Sequence, residues 1–401
     1  MREGKLKEIC SVNNNRADNT FVGIISKEGT VKVQFPLGFH LSDSDKEIRR
    51  DILLLINTIA ETSKKRESNI KLNSDVFQDI GLPLQSYMYL IRDYAERGYY
   101  TERENEYSIS KQGKINWNRT IKTIKPVICN RQPFYLDFVT KKIVISKNEL
   151  ITLIHKYCVW ESFKKIGWLF TSFVPDKPQI VFNKTQFLTV LVEKMERTFN
   201  DKNRELFRHM IAVVTEEMDP DALSNYQYGT NRFEYVWENL IDQVYGIVDK
   251  DRFFPKTYWK INGRTYNNAS LEPDSIMLWN NNIYVLDAKY YRYGESRNPF
   301  DLPESTSINK QITYGEYADC IKNSEQIVYN AFLMPFDASK WGSVTPVKNI
   351  GNAGSNWKND EKEYEQIQGI LVDVKYLMRQ RVNKEQAILE QLAESIESAF
   401  S

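Results

Sequence analysis

The sequence is poor in the side chains that most often bind transition metals. Its 401 residues include only four cysteines and three histidines. The cysteines are scattered without paired spacing, which predicts reduced thiols and argues against a zinc site. The histidines, His40, His155 and His209, are isolated from one another, so neither a histidine metal site nor a histidine-based triad is expected. Catalysis, if the chain performs any, should therefore use carboxylates and lysines.

Long apolar runs are also missing. None approaches the roughly 20 residues of a membrane-spanning helix, and the N-terminal sequence MREGKLKEIC does not resemble a signal peptide. These absences predict a cytoplasmic protein with no membrane partner. The chain also lacks a G-x-x-x-x-G-K-[ST] loop, so any nucleotide hydrolysis based on that loop would have to come from another subunit.

Helices alternate with short strands along the chain, which predicts a mixed α/β fold. The length suggests two or three domains. The pattern divides the chain into a β-rich N-terminal segment (1–45), a winged-helix-like region (46–125), a mixed connector (126–203) and an α/β domain (204–401).

The region 46–125 has the element order of a winged helix-turn-helix. A helix at about 46–62, a short helix within SDVFQDIGLP and a helix at about 83–97 precede a hairpin of two strand-like runs. Ser74 is the expected cap of the short helix and Gly81 its end. The last helix carries side chains of the types that read base edges. Those that we expect to contact DNA are Gln85, Ser86 and Arg92.

A basic stretch follows this helix. Between Tyr107 and Tyr135 there is no acidic residue. Such a stretch can neutralise DNA phosphates, and we favour this interpretation over the alternative of a solvated wing and linker. The residues that we expect to contact the phosphates are Lys111, Lys114, Arg119, Lys122 and Lys125.

The segment LEPDSIMLWNNNIYVLDAKYY, residues 271–291, predicts a β-hairpin, because two apolar runs flank a cluster of asparagines. If Asn280 and Asn281 form a two-residue turn, Asp274 lies directly across from Asp287, with Cβ atoms roughly 5 Å apart. A three-residue turn would shift this pairing.

Two opposed carboxylates repel one another, which makes the patch unfavourable as structure alone. Mg²⁺ would resolve the conflict, because it prefers oxygen ligands and commonly takes one or two carboxylates. Lys289 lies two residues beyond Asp287 and leaves the same face of the strand, where it would orient a water or stabilise a phosphate. The hairpin therefore predicts a Mg²⁺-dependent phosphodiesterase, with Mn²⁺ able to substitute.

The Asp-x-Lys triplet is not unique in the sequence. Asp360 and Lys362 lie in a wholly charged stretch that we interpret as solvated surface. Asp373 and Lys375 lie in GILVDVKYLM, a good strand pattern, and they remain an alternative site. No Pro-Asp arm precedes that second triplet at hairpin distance.

The hairpin resembles the signature of the PD-(D/E)xK nuclease superfamily. The matching residues, in order, are Pro273, Asp274, Asp287, Ala288 and Lys289. This resemblance implies a PD-(D/E)xK nuclease core in the C-terminal half of the chain.

The same resemblance implies further site residues. An acidic residue from a preceding helix usually joins the metal site, and FEYVWENL offers Glu234 as the first choice and Glu238, on the same helical face, as the second. The backbone carbonyl of Ala288 would be another metal ligand. A glutamine on the helix after the catalytic strand often contacts the scissile phosphate region, and Gln311 is the candidate here.

A wider set of motifs resembles one family. FPLGFHL, DYAERGYYTE followed by KQGKINWNRTIK, FEYVWENLIDQVYGI, PDSIM and LDAKYY together look like the LlaJI-type restriction endonucleases, over most of the chain. That family is similar to McrC, the nuclease subunit of McrBC systems. The likeness implies a restriction-modification nuclease that cuts double-stranded DNA, a McrB-like AAA+ GTPase partner that binds the GTP, and a companion methyltransferase.

Two other functions stay open from the sequence. The chain could be a self-sufficient type II restriction or repair nuclease, or a non-catalytic winged-helix DNA-binding protein. Cutting both strands needs two active sites, so we expect either a homodimer on DNA or sequential nicking.

Overall fold

A computed structural model of the protein describes residues 5–17, 19–27, 30–69, 77–80, 83–129, 131–146, 149–171, 173–216, 226–359, 361–381 and 385–400. The chain forms two compact units. Unit 1 comprises residues 1–80 and 223–401, and unit 2 comprises residues 81–222. Within the stretches given above, no helix combines the length and hydropathy that crossing a membrane requires.

Unit 1 begins with α1 (Lys5–Ile9), β1 (Cys10–Val12), β2 (Val22–Lys27), β3 (Thr30–Phe35), α2 (Asp45–Asn69) and β4 (Phe77–Ile80). Strands β2 and β3 pair antiparallel, within the segment that we predicted to be rich in β-structure. Helix α2 confirms the helix predicted at 46–62, because the apolar positions of its predicted face are all buried. They are Ile48, Ile52, Leu55, Ile56 and Ile59.

Unit 2 contains α3 (Leu84–Arg97), β5 (Glu102–Ile109), β6 (Lys114–Ile115), α4 (Trp117–Thr123), β7 (Val127–Cys129), β8 (Gln132–Phe134), β9 (Val139–Ser146), α5 (Leu150–Ile166), α6 (Lys184–Arg197) and α7 (Asp201–Glu216). Helix α3 confirms the predicted helix at 83–97. It ends at Gly98, whose φ of 73° lies in the left-handed region that glycine adopts readily. Helix α3 packs against α5 and α7.

The rest of unit 1 contains β10 (Tyr226–Thr230), α8 (Glu234–Tyr245), β11 (Tyr258–Ile261), β12 (Arg264–Asn267), β13 (Ser275–Trp279), β14 (Asn282–Ala288), α9 (Tyr293–Ser296), α10 (Ser305–Ile321), β15 (Val328–Phe336), β16 (Val347–Ala353), β17 (Ile367–Asp373), α11 (Val374–Gln380) and α12 (Gln386–Glu397). A five-stranded sheet has the order β13-β14-β15-β17-β16. Strands β14, β15 and β17 are parallel, whereas β13 and β16 run antiparallel to their neighbours.

The middle of this sheet is buried and mostly apolar. All nine residues of β15 are buried, as expected for a parallel strand covered on both faces. Helices α8 and α10 pack on the sheet, and the buried side chains of α10 include Ile312 and Tyr314. Strand β14 lies next to β15, so its last residues are held against a rigid support.

Several predictions for the region 46–125 are wrong. Phe77–Ile80 is strand β4, where we expected a short helix, because it pairs with β10 and this tertiary pairing overrides local propensity. The cap Ser74 and the end Gly81 lie outside the described residues. Strands β5 and β6 do not form the predicted hairpin, since each pairs with β9, which lies between them.

The region 46–125 is also divided between the two units. Its first helix, α2, belongs to unit 1, where it contacts α8 and α11, whereas α3 belongs to unit 2. The predicted winged helix is therefore not confirmed by the described residues. The two compact units meet in sequence at about residues 80 and 222, and the domain boundaries at 45, 125 and 203 stay predictions.

Candidate active site

Strands β13 and β14 form the hairpin predicted at 271–291. Asn280 and Asn281 make a two-residue turn with φ values of 44° and 67°, the left-handed region that asparagine tolerates better than most residues. The strands pair in the register that this turn requires. That register, which the structure confirms, brings Asp274 and Asp287 together at the open end of the hairpin.

Asp274 and Asp287 are both withdrawn from water. Asp287 is only 3% exposed, and Asp274 is partly buried. The Oδ2 atom of Asp274 accepts a 2.8 Å hydrogen bond from the backbone N–H of Ala288. The pKa of Asp274 is raised to about 7, first because burial disfavours its charge and then because Asp287 and Glu238 are close. The site therefore concentrates negative charge that a cation would neutralise.

Lys289 supplies positive charge on the same face. Its Nζ lies 2.5 Å from Oδ2 of Asp287 and 5.9 Å from the ring centroid of Phe332. Although burial opposes the ammonium charge, the pKa of Lys289 is raised because Asp287, and more weakly Asp274, lie nearby. Lys289 therefore carries a proton and a full positive charge at neutral pH.

Several contacts fix the backbone at the end of β14. The backbone N–H of Lys289 donates to the carbonyl of Leu333 at 2.9 Å, and Nε1 of Trp237 donates to the same oxygen at 3.0 Å. The next residue, Tyr290, is buried, and its Oη accepts a 2.6 Å hydrogen bond from the backbone N–H of Leu37. These bonds hold Lys289 where it can face the carboxylates.

The N-terminal motif FPLGFHL contributes directly to this support. Besides the bond from Leu37, Gly38 adopts a φ of 75°, and a Cβ at that position would lie 2.9 Å from the backbone of Phe336. Only glycine allows the segment to approach the end of β15 so closely. A motif far from the hairpin in sequence thus helps to position the end of β14, next to Asp287.

The two glutamates of α8 differ in their surroundings. Glu234 forms an ion pair with Arg232, with Oε1 2.9 Å from Nε, and its side chain is 40% exposed. Glu238 is the helix carboxylate whose negative charge helps to raise the pKa of Asp274. The structure therefore favours Glu238 over our first choice, Glu234, as the acidic neighbour of the carboxylate pair.

Lys310, on α10, lies near enough to the carboxylate pair to sense its charge, although we did not predict it from the sequence as a site residue. Although partial burial would lower it, the pKa of Lys310 is raised by a hydrogen bond with Tyr314 and by the charges of Asp287 and Asp274. The ammonium lies 5.4 Å from the ring centroid of Tyr314, and the side chain is exposed. In the sequence, Lys310 was marked only by its position beside Gln311 near the start of a predicted helix.

Gln311 itself is buried beneath the sheet. Its Nε2 donates to the carbonyl of Val285 at 2.8 Å and lies 3.3 Å from Oδ1 of Asn330. Asn330 in turn donates to the carbonyls of Gln311 and Tyr364. This network supports β14 from below, so the contacts of Gln311 are structural, and its catalytic role stays a prediction.

The alternative triplet at Asp373 and Lys375 is not assembled as a site. Asp373 ends β17 and caps α11, where its Oδ1 accepts from the backbone N–H of Tyr376 at 2.7 Å. Lys375 lies in the helix and forms a buried ion pair with Asp51 on α2, 2.7 Å apart. The strand pattern is interrupted between the two residues, which removes the geometry of an Asp-x-Lys strand. Of the other triplet, Asp360 lies outside the described residues.

The residues predicted to contact DNA all lie in unit 2. Those with exposed side chains are Gln85, Arg92, Lys111, Lys114, Arg119, Lys122 and Lys125. Ser86 is instead buried, with Oγ 3.0 Å from Nδ1 of His209. An inward hydroxyl with a protein partner cannot read a base edge, so the structure does not support Ser86 as a DNA contact.

The carboxylate pair has the donors that Mg²⁺ prefers. Across the described part of the chain, no three His, Cys, Asp or Glu side chains form a complete metal-binding group. Two carboxylates are nevertheless sufficient for Mg²⁺, which keeps waters and substrate oxygens on its other positions. The raised pKa of Asp274 beside Asp287 is the charge conflict that such a cation relieves. Oxygen-only donors favour Mg²⁺ or Mn²⁺ over Zn²⁺.

Comparison with known proteins identifies the family. The LlaJI restriction endonuclease family matches residues 21–345 of this chain. The chain belongs to that family. The matched range contains both arms of the hairpin together with α8 and α10, so the site described above lies within the family's own sequence pattern.

Two individual proteins are similar to this LlaJI-family chain. It is 27% identical over 345 residues to the Bacillus subtilis (strain 168) protein named type II restriction enzyme BsuMI component YdjA, across 79% of this chain and 72% of the relative. A chain of the refined half-complex from the tetradecameric assembly of Thermococcus gammatolerans McrB AAA+ hexamers with bound McrC is 14% identical, with a TM-score of 0.36, across 91% of this chain and 82% of that one. At this TM-score the structural likeness does not establish a shared fold. Family membership and the YdjA relative support a nuclease subunit of a restriction system.

Proposed function

We propose that this LlaJI-family protein is a Mg²⁺-dependent endonuclease subunit that hydrolyses DNA phosphodiester bonds in a bacterial restriction-modification system. The observation that carries the proposal is the pair Asp274 and Asp287, opposed across the hairpin, with Lys289 2.5 Å from the second carboxylate. Their order and geometry match what a PD-(D/E)xK core requires, which is the fold that we propose for this part of unit 1.

Asp274 and Asp287 would hold the metal, with Mn²⁺ able to replace Mg²⁺. When bound, the ion would neutralise charge on the scissile phosphate. Because Ala288 N–H fixes Asp274, that carboxylate needs no rearrangement to serve as a ligand, and the carbonyl of Ala288 is a further candidate ligand. Glu238 is our preferred third acid, acting near Asp274, and Glu234 is the reserve.

Lys289 and Lys310 would act on the substrate. The Lys289 ammonium, held beside Asp287, is placed to orient the attacking water or to stabilise negative charge developing on the phosphate. Lys310 is more exposed, and the charges of Asp274 and Asp287 also act on it. It would bind a phosphate oxygen of the substrate from its position on α10. Both lysines carry raised pKa values, so both would remain cations across the neutral pH range.

We further propose that the subunit works with partners. The chain has no P-loop of its own, so a McrB-like AAA+ GTPase would supply GTP hydrolysis, and a companion methyltransferase would protect host DNA. The name of its relative, a restriction enzyme component, supports a system of several subunits. Double-strand cleavage would follow from a homodimer on DNA or from sequential nicking, with unit 2 contributing DNA contacts through its exposed cations.

The test is a cleavage assay on unmethylated phage DNA with Mg²⁺, with the protein alone and with an AAA+ subunit plus GTP. The variants are Asp287→Asn and Lys289→Ala, with Asp249→Asn and Lys362→Ala as matched controls on the surface. Loss of cleavage in the first pair alone supports the proposal. Cleavage that needs GTP and the AAA+ subunit selects the multi-subunit system, and cleavage without them selects a self-sufficient nuclease.

Two results would overturn the proposal. Active-site variants that cut like the parent would mean that the hairpin carboxylates do no chemistry. A parent that binds DNA tightly but never cuts, with or without the AAA+ subunit and GTP, would identify a non-catalytic DNA-binding protein.

A further inference from the structure

A two-stranded ribbon precedes the active-site hairpin, and the proposed chemistry leaves it unused. Strands β11 and β12 pair antiparallel around a turn at Asn262 and Gly263, whose φ values are 50° and 77°. Every residue from 256 to 269 is exposed, and a Cβ at Gly263 would have no atom within 4 Å. The ribbon therefore projects from unit 1 into solvent.

The ribbon displays aromatic side chains that its own fold does not cover. Trp259 pairs directly with Tyr266 across the strands, and the two side chains are 64% and 51% exposed. Ile261 and Arg264 form the second pair beyond it toward the turn, after Lys260 and Thr265, and they share this face because side chains two apart leave a strand on the same side. Such a pair contributes at most about 1 kcal/mol to the ribbon itself, so its exposure points to a partner.

Charge indicates what kind of partner fits. From Arg252 to Leu271 the chain contains no acidic residue, whereas Lys256, Lys260 and Arg264 lie on the ribbon itself. A surface of cations interleaved with flat aromatic rings suits a polyanion that also offers sugars and bases, which is a nucleic acid. The major groove of B-form DNA is wide enough to admit a two-stranded ribbon.

Both ends of the ribbon are attached to the active site. The backbone N–H of Leu271 donates to the carbonyl of Pro255 at 2.9 Å, which closes the base of the ribbon. Phe253 belongs to the buried core that contains Tyr314, and the Oη of Tyr314 donates to the carbonyl of Glu272 at 3.0 Å. Asp274 follows two residues later, so a short, hydrogen-bonded segment connects the ribbon to the carboxylate pair.

We infer that the ribbon of residues 256–269 binds duplex DNA beside the scissile phosphate, with its cations on phosphates and its aromatic face in the groove. Tyr266 lies eight residues before Asp274, so the two are separated by no more than about 27 Å of extended chain. That is about eight base pairs, at about 3.4 Å for each. The inference rests on the proposed function, because it places the ribbon relative to a scissile phosphate.

The test measures binding of a fluorescein-labelled 30-base-pair duplex by anisotropy, with the full chain in an Asp287→Asn background. One variant removes both exposed rings, Trp259→Ala with Tyr266→Ala, and its matched control is Trp357→Ala with Phe300→Ala, two exposed aromatics elsewhere. We expect at least a tenfold loss of affinity for the ribbon variant and less than a twofold loss for the control. Unfolding midpoints should be unchanged in both.

A second variant addresses the cations. Lys260→Gln with Arg264→Gln should lower the slope of log affinity against log salt by up to about 2, because each phosphate contact contributes about 0.9. The control, Lys340→Gln with Lys362→Gln, should leave the slope as in the parent. A purely structural role for the ribbon would not change this slope.

The outcomes separate the two proposals. The first outcome is that the Asp287→Asn parent binds DNA, the protein with Asp287 restored cuts it, and neither ribbon variant changes the DNA affinity. That result overturns the ribbon inference but leaves the proposed nuclease function intact. If the ribbon variants keep full DNA affinity but no longer associate with the AAA+ subunit, the ribbon binds a protein partner. That result would also overturn the ribbon inference. A parent that neither binds nor cuts DNA rejects both proposals.

Discussion

Replacing Asp274 by asparagine should stabilise the metal-free protein while it abolishes cleavage. In the parent, Asp274 is buried beside Asp287 and Glu238, and its pKa is raised from 3.8 to about 7. Since one pKa unit corresponds to about 1.4 kcal/mol, the ionised carboxylate costs about 4 kcal/mol of folding free energy above pH 7. Asparagine removes that cost and keeps an oxygen that can accept from Ala288.

The net gain is smaller than the full cost. The new amide brings a buried N–H₂ group, which costs about 1–3 kcal/mol if it finds no partner. We therefore expect Asp274→Asn to raise the free energy of unfolding by about 1–3 kcal/mol at pH 8.

The pH dependence fixes the sign of the effect. A carboxyl whose pKa is raised by folding binds more protons in the native state between about pH 4 and pH 7, so it destabilises the parent progressively as pH rises through that window. Below pH 4 Asp274 is protonated in both the folded and the unfolded parent, so the charge term vanishes and the amide cost of about 1–3 kcal/mol should leave Asp274→Asn less stable than the parent. The advantage should reach its full size above pH 7.

The assay is urea unfolding in EDTA at pH 4.5, 6, 7 and 8, followed by a repeat with Mg²⁺. Asp249→Asn, an exposed carboxylate, is the control and should stay within about 0.5 kcal/mol of the parent. Mg²⁺ should stabilise the parent more than Asp274→Asn, because the variant lacks one of the two carboxylates proposed to hold the metal. The reasoning would be refuted if Asp274→Asn were less stable than the parent at pH 8 and if the difference did not depend on pH. That result would mean that the charge of Asp274 does not destabilise the folded parent.

Three more predictions follow from the site and from unit 2. Glu238→Gln should reduce kcat/KM at limiting Mg²⁺ by about tenfold, or about 1.4 kcal/mol, whereas Glu234→Gln should cost less than twofold; equal losses would contradict our preference between them. Lys310→Ala should lower kcat about fivefold, since a partly exposed cation contributes about 1 kcal/mol, and unchanged steady-state kinetics would remove it from the site. The pKa of buried His155 is lowered to about 3, so the protein should lose stability as pH falls from about 6.5, by up to about 1.4 kcal/mol per pH unit. Urea midpoints of His155→Gln should fall less steeply, and parallel curves would disprove that contribution.

The sequence alone determined the parts of the site that depend on local rules. Two asparagines between apolar runs predict a two-residue turn, and strand periodicity then dictates that Asp274 meets Asp287 and that Lys289 shares their face. The structure has this register. Helices such as α2 and α3 were predictable for the same reason, because their apolar spacing is a property of consecutive residues.

Tertiary structure decided whatever depended on distant partners. Whether Glu234 or Glu238 approaches Asp274 depends on how α8 packs on the sheet, and Lys310 enters the site only because α10 lies across β14. Phe77–Ile80 is a strand because it pairs with β10, which is remote in sequence. Local periodicity contains no information about such contacts, since their free energy arises only when surfaces from separate parts of the chain are buried against one another.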